Sequence, residues 1–281
     1  MIKGKWAKFA HPDKAFDYAG DRLAKNWAKL HVGDAEPLPE VKRIGALVKQ
    51  TKAPKAGDAQ ELSDALGEAW RAYHRGDFER AYKDGVALGA FGAVVACKAL
   101  GIHANYLVSD AKDQLDRYAH VAELAESAIA QLPGEANAHY FRAFAYGRMS
   151  QLVPMAKALS QGLVGKVRES LDRTLKLAPQ HAEAHLALAV YHAEIVSKVG
   201  GMLASLTYGA KAASAHDLLA KAIKLAPASP IVYLEQGHIL RMLGGAKADD
   251  AAAAAYAKAA AIKPIEAMQA LDVIAARELI E

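Results

Sequence analysis

Four times in this chain an alanine-rich amphipathic stretch runs into a proline, and another such stretch begins within two or three residues. The stops are Leu132-Pro133, Leu177-Ala178-Pro179, Leu225-Ala226-Pro227 and Ile262-Lys263-Pro264. Proline has no amide hydrogen to donate and its ring collides with the preceding turn, so each stop ends a helix. Recurrence at 46, 48 and 37 residues marks a repeat architecture, in which each helical unit buries its apolar face only against its neighbours. The expectation is an all-α stack that displays surface, rather than a pocket built for chemistry.

With 53% hydrophobic and 23% charged residues the chain has the makings of a folded protein, but only 7% are aromatic, so Ala, Leu, Val and Ile must supply most core contacts. The single cysteine, Cys97, has no intramolecular partner and reads as a small buried hydrophobe. Lys3, Lys5 and Lys8 interrupt the amino terminus, which has no apolar run of secretory type, so a cytoplasmic setting is expected. The stretch Val86–Cys97 is followed at once by Lys98 and is too short to span a bilayer. It reads as one buried helix, with Gly85, Gly89, Gly92 and Gly101 at helix-crossing contacts.

Charge is unevenly placed. Residues 1–55 hold 12 basic and 6 acidic residues against 23 and 25 downstream. The lysines alternate with Asp13, Asp17 and Asp21 instead of forming a block, so no nucleic-acid partner is expected. Residues 4–30 read as two helices broken at His11-Pro12, with Trp6, Phe9, Phe16, Leu23, Trp27 and Leu30 as buried positions. A loop at 32–39, a short helix over 41–50 and a polar linker over 51–57 follow. The chain therefore divides into an N-terminal helical extension, 1–57, and a repeat domain, 58–281.

The repeat domain opens with Trp70-Arg71-Ala72-Tyr73-His74-Arg75-Gly76-Asp77-Phe78-Glu79-Arg80-Ala81. Gly76 can take the positive φ that ends one helix, and Asp77 is placed to cap the next. This string resembles the turn between helices A and B of the tetratricopeptide repeat. Counted from the prolines, Ala143, Ala189 and Gly237 fall on that family's small position of helix A, and Tyr146, His192 and Leu240 on its large one. Ala128, Ala222 and Ala259 fall on the small position of helix B, with Thr174 as a departure. The resemblance covers residues 60–281, and proteobacterial members of the family are similar in pattern. It implies five antiparallel helix pairs in a right-handed superhelical stack, closed by a capping helix over 265–281 with Glu266, Asp272, Arg277 and Glu278 on its wet side.

Two units exceed the family's 34 residues by about 12 and 14, and both excesses lie between helices A and B, over 150–165 and 196–210. They are apolar: Leu152, Val153, Met155 and Leu159 in the first, Val199, Met202, Leu203 and Leu206 in the second. A loop in water gains nothing from such residues. The leading expectation is longer helices with internally packed tips; a ligand tunnel, a partner surface and self-association are the alternatives.

Histidine is the one catalytic residue type in quantity. His181 and His185 stand at i, i+4 with Glu183 between them, an order that turns the carboxylate away from where zinc-protease chemistry needs it. No nucleophile elbow, Walker loop or Cys-x-x-Cys pair occurs. Neither catalysis, nor a metal, nor a cofactor is expected.

The resemblance implies a concave face lined by helix A. Carried onto this chain, that face comprises Asn137, Tyr140, Phe144 and Gly147; Glu183, Leu186, Val190 and Ala193; and Ile231, Leu234, His238 and Arg241. The set is mostly apolar, and it lacks the basic and asparagine clamp that some members use on C-terminal carboxylates. The expected function is non-catalytic binding of an apolar peptide or protein segment, as a scaffold. The alternatives are a carrier enclosing a hydrophobic small molecule between the insertions, and a peripheral membrane adaptor using Lys3, Lys5, Lys8 and Trp6.

Overall fold

The structure, a computed structural model, describes residues 2, 4–51 and 58–281, and of Met155 only the backbone. Lys3 and the linker residues 52–57 lie outside the described residues, and with them the expected boundary at 57. Among the described residues the chain is all-α, with no strand. It forms two compact units. The first takes residues up to Trp27 and Glu36–Leu177; the second takes Ala28–Ala35 and Ala178–Glu281.

The first unit begins with a stretch that is not helical. Residues 5–13 form neither helix nor strand, a short 3-10 turn follows at Lys14–Phe16, and α1 begins only at Arg22, ending at Leu30 in the second unit. The apolar positions nonetheless hold. Phe9, Phe16, Leu23, Trp27 and Leu30 are buried and Trp6 half-buried. Helical spacing misled because the carbonyls of this strap are met by side chains from elsewhere in the fold, so a helix is not needed to satisfy them.

Then come α2 (Val41–Gln50), α3 (Ala59–His74), α4 (Phe78–Ala87), α5 (Ala93–Leu107), α6 (Ala111–Gln131), α7 (Ala136–Leu152), α8 (Met155–Ser160) and α9 (Leu163–Leu177). Consecutive long helices pack on each other, and α3 touches α5 as α5 touches α7. The aromatic core sits at the start of this unit. The Trp27 ring meets that of Trp70 edge-on at 5.7 Å, and Trp70 stacks on His74 and meets Tyr73 edge-on.

The turn at Gly76 is as expected, with φ +90°. The amides of Gly76 and Asp77 bond the carbonyls of Tyr73 and Ala72, which closes the end of α3. Asp77 does not cap α4 with its side chain; its backbone is spent on the turn. Val86–Cys97 is not one helix, because α4 stops at Ala87 and a 3-10 turn at Gly89–Phe91 intervenes before α5. Gly92 and Gly85 do mark a close approach, since a Cβ on Gly92 would lie 2.2 Å from the Gly85 carbonyl oxygen. Gly89 has open space around it and serves the turn, with φ +59°.

The second unit holds α10 (Ala182–Val199), α11 (Gly201–Tyr208), α12 (Ala212–Leu225), α13 (Pro230–Gly244), α14 (Asp249–Ala260) and α15 (Ala267–Glu278). Here α10 packs on α12 and α13, and α13 on α14 and α15. Its core is aliphatic, with Leu186, Ala189, Ala193, Leu219, Ala222, Val232 and Ile239 in one cluster. The small positions counted from the prolines, Ala143, Ala189 and Gly237 on one helix of each pair and Ala128, Thr174, Ala222 and Ala259 on the other, are all buried.

Two expectations fail at the periphery. Glu266 and Asp272 are buried, not on the wet side of the last helix; Arg277 and Glu278 are exposed as expected. Asp272 stands four residues from buried Met268 and beside buried Leu271, so its spacing puts it on the packed stripe whatever its charge. The insertions are not simply longer helices: α7 runs on to Leu152, α9 starts at Leu163 and α10 runs on to Val199, but between them each insertion folds as a short separate helix, α8 or α11.

Candidate binding face

In the first unit the expected face is largely inside the protein. Asn137 is buried, and its side-chain amide donates to the Glu36 carboxylate at 2.6 Å. The Glu36 carbonyl in turn accepts from the Trp27 indole at 2.7 Å. Tyr140 is buried with its ring edge-on to Phe141. Phe144 is half-buried, packed edge-on to Tyr118 and over Gly101, where a Cβ would lie 2.8 Å from its ring. Gly147 is half-buried with open space beside it.

In the second unit the residues fall into two groups. Leu186, Ala193 and Leu234 are core. Glu183, Val190, Ile231 and His238 are half-buried, and Arg241 is exposed. A turn of the same unit, His31–Asp34, packs on this face. The Glu183 amide, one of the unpaired donors in the first turn of α10, bonds the Gly33 carbonyl at 2.9 Å, and Val32 packs on the same buried cluster as Val190 and Ile231. His31 and Asp34 are buried with a 2.9 Å contact between them, and Ala35 turns the chain with φ +49°. His238 contacts Glu235 at 3.2 Å and Arg241 donates to Asp249 at 3.0 Å.

A second constellation escaped the sequence altogether. The Arg117 side chain is 0% exposed. It donates to both Asp113 carboxylate oxygens, at 3.0 and 3.4 Å, and to the Lys5 carbonyl at 3.1 Å. Its guanidinium also lies 5.0 Å from the centre of the Trp6 ring. The His103 ring nitrogen Nε2 meets the Ala7 carbonyl at 3.2 Å, so it carries the proton, and Nδ1 accepts from Arg117 at 3.3 Å. Desolvation first, and the neighbouring Arg117 charge second, push the His103 pKa down to about 4. Residues more than a hundred positions apart make this clamp, and no local pattern announces it.

The histidines beyond the prolines do structural work. His139 Nε2 meets the Pro133 carbonyl at 3.1 Å, His185 Nε2 meets that of Pro179 at 3.0 Å, and the Tyr233 hydroxyl donates to that of Pro227 at 2.9 Å. Imidazole and phenol are thus alternative donors at one repeat position. His181 caps α10, accepting from the Ala184 amide at 3.0 Å. One nitrogen of each ring, His181 Nδ1 and His185 Nε2, is thus used on the backbone. Among the described residues no group of three or more His, Cys, Asp or Glu is placed to hold a metal ion.

Burial lowers the pKa of His139 and His185 as it does for His103. The unfolded chain, with a pKa near 6.5, takes these protons first. Stability is therefore complete above about pH 6.5 and falls as pH drops toward 4. Thermal melts between pH 7.5 and 4.5 should show this decline. His185→Tyr, which can make the bond Tyr233 makes, should reduce it without lowering the melting temperature at pH 7.5 by more than a few degrees.

Cys97 is buried, its thiol against the Val121 carbonyl, and burial pushes its pKa up. A cavity lined by Trp70, Val94, Leu132, Arg43 and Glu135 has a volume of about 10 Å³, room for one water and far below what a small-molecule ligand needs. The apolar side chains of α11 point outward, with Met202, Leu203 and Leu206 among the most exposed large hydrophobics. Among the described residues no helix is long and apolar enough to cross a membrane. No protein-family model matches the chain, and no curated protein does.

Proposed function

We propose that this chain is a non-catalytic, cytoplasmic binding or scaffold module, built as a tetratricopeptide-like right-handed solenoid, that takes an extended apolar segment of a partner protein on the face of α10 and α13. The solenoid reading is supported within each unit. Helices α3, α5 and α7, and likewise α10, α13 and α15, each touch the next of their set as stacked hairpins do.

The observation that carries the binding reading is the Val32-Gly33 stretch. It lies in the turn His31–Asp34, held on α10 by one main-chain hydrogen bond and one apolar side chain, the two kinds of contact by which grooves bind peptides. Beyond it, Val190 and Ile231 offer half-buried apolar surface, and His238 and Arg241 polar exposed surface. Tyr140, Leu186 and Leu234 serve as core, so truncating them would report on stability and not on binding.

A photo-crosslinking residue placed at Val190 or Ile231, in the protein expressed in its native cell, tests the reading. Adducts should form with another protein at an apolar segment, and Arg241→Glu should reduce them several-fold. Adducts confined to this chain's own residues 28–36 would refute it.

A further inference from the structure

The second insertion presents an apolar surface that neither its own helix nor its neighbours cover. In α11, Met202 is 82% exposed, Leu206 81% and Leu203 51%. Positions 202, 203 and 206 fall on one face of a helix. The opposite side is anchored: Ala204 and Ala210 are fully buried, and His192 accepts the Lys211 amide at 3.1 Å. Glycines with positive φ, Gly200 at +80° and Gly209 at +64°, set the helix off at both ends. The amides of Gly209 and Ala210 bond the Ser205 and Ala204 carbonyls, so its last turn is closed on itself.

The charge along this segment has one sign. From Ile195 to His216 the sequence holds no Asp or Glu; its only formal charges are Lys198 and Lys211, one on each side of α11 and both exposed. Lys198 stands 3.9 Å from the Glu194 carboxylate, a long contact. Half-buried Tyr208 ends the helix, a residue type enriched where acyl chains meet headgroups.

We propose that α11 is a membrane-docking wedge, in which Met202, Leu203 and Leu206 enter the headgroup and acyl boundary of an anionic lipid surface while Lys198 and Lys211 engage its phosphates. The side chains are long, unbranched or γ-branched and uncharged. The framing lysines gain from a negative surface potential, and the closed C-terminal turn leaves the Ala204 and Ser205 carbonyls paired. The site differs from the one expected at the amino terminus, where Trp6 lies beneath Arg117. It is also independent of the α10 and α13 face proposed above.

Flotation of the purified full chain with vesicles tests it, comparing phosphatidylcholine alone with phosphatidylcholine carrying one third phosphatidylglycerol. The wild type should float with the anionic vesicles, less so in high salt. Met202→Glu with Leu206→Glu should lower partitioning by at least about tenfold. Both positions face water, so folding is spared, and Leu279→Glu, at the exposed position just after α15, should float as the wild type does. Absence of flotation, or flotation unchanged in the double variant, overturns the proposal. So does a dimer that the double variant converts to monomer without any lipid binding, which would assign the face to a second copy of this chain.

Discussion

Replacing Arg117 with alanine should lower the stability of the protein by about 3 kcal/mol, toward the upper end for a single substitution. The side chain is wholly buried and each of its three nitrogens donates, to Asp113, the Lys5 carbonyl or His103. Truncation leaves the Asp113 carboxylate, one third exposed, without its cation, and leaves a carbonyl and a ring nitrogen without donors. It also removes the cation from the face of Trp6. The strap should then detach, so trypsin should cut at Lys5 and Lys8 much faster than in the wild type. Arg117→Lys keeps the charge but not the planar fork, and should fall between the two. Urea melts with unchanged midpoints and unchanged cleavage rates would show that the clamp holds nothing.

Gly237→Ala should destabilise by about 2 kcal/mol, against the usual gain of roughly 1 kcal/mol for replacing glycine inside a helix. A Cβ there would lie 2.2 Å from one ring carbon of Tyr256 and 2.6 Å from two more, and that ring is itself 1% exposed. The ring cannot move aside without leaving the cluster it shares with Tyr233 and Leu234. Gly147→Ala is the control. With nothing within 4 Å of its Cβ position, it should gain about 0.5–1 kcal/mol. Combining Gly237→Ala with Tyr256→Leu should cost less than the sum of the two single changes, because the collision is relieved. Additive losses would mean that the contact is not the cause.

The prolines made the helical skeleton legible because a missing amide acts locally. They set the register that located the small buried positions Ala143, Ala189 and Gly237 and the donor position of His139, His185 and Tyr233. They did not show what each position touches: Gly237 differs from its counterparts because Tyr256 fills the space where a Cβ would stand.

The candidate site was harder to read. The register put Asn137, Tyr140, Leu186 and Leu234 on a ligand face, but burial of these residues depends on what covers them, and part of the cover comes from residues 27–36, a hundred or more positions away. The strap failed for the same reason. Apolar spacing at Trp6, Phe9 and Phe16 is compatible with a helix, and only Arg117 and His103 make a non-helical path the better one.

The described residues up to Glu36 are therefore integral to the packed helices rather than an arm appended to them. Phe9, Phe16, Tyr18, Leu23, Trp27 and Leu30 are buried, and residues 28–35 belong to the second unit. Urea denaturation of the full chain beside a chain starting at Pro37, followed by circular dichroism, tests this directly. The shortened chain should be unfolded or lose more than half its stability, with six large apolar side chains removed and Asn137 and the first turn of α10 left without their partners. An unchanged midpoint and a cooperative transition in the shortened chain would contradict it.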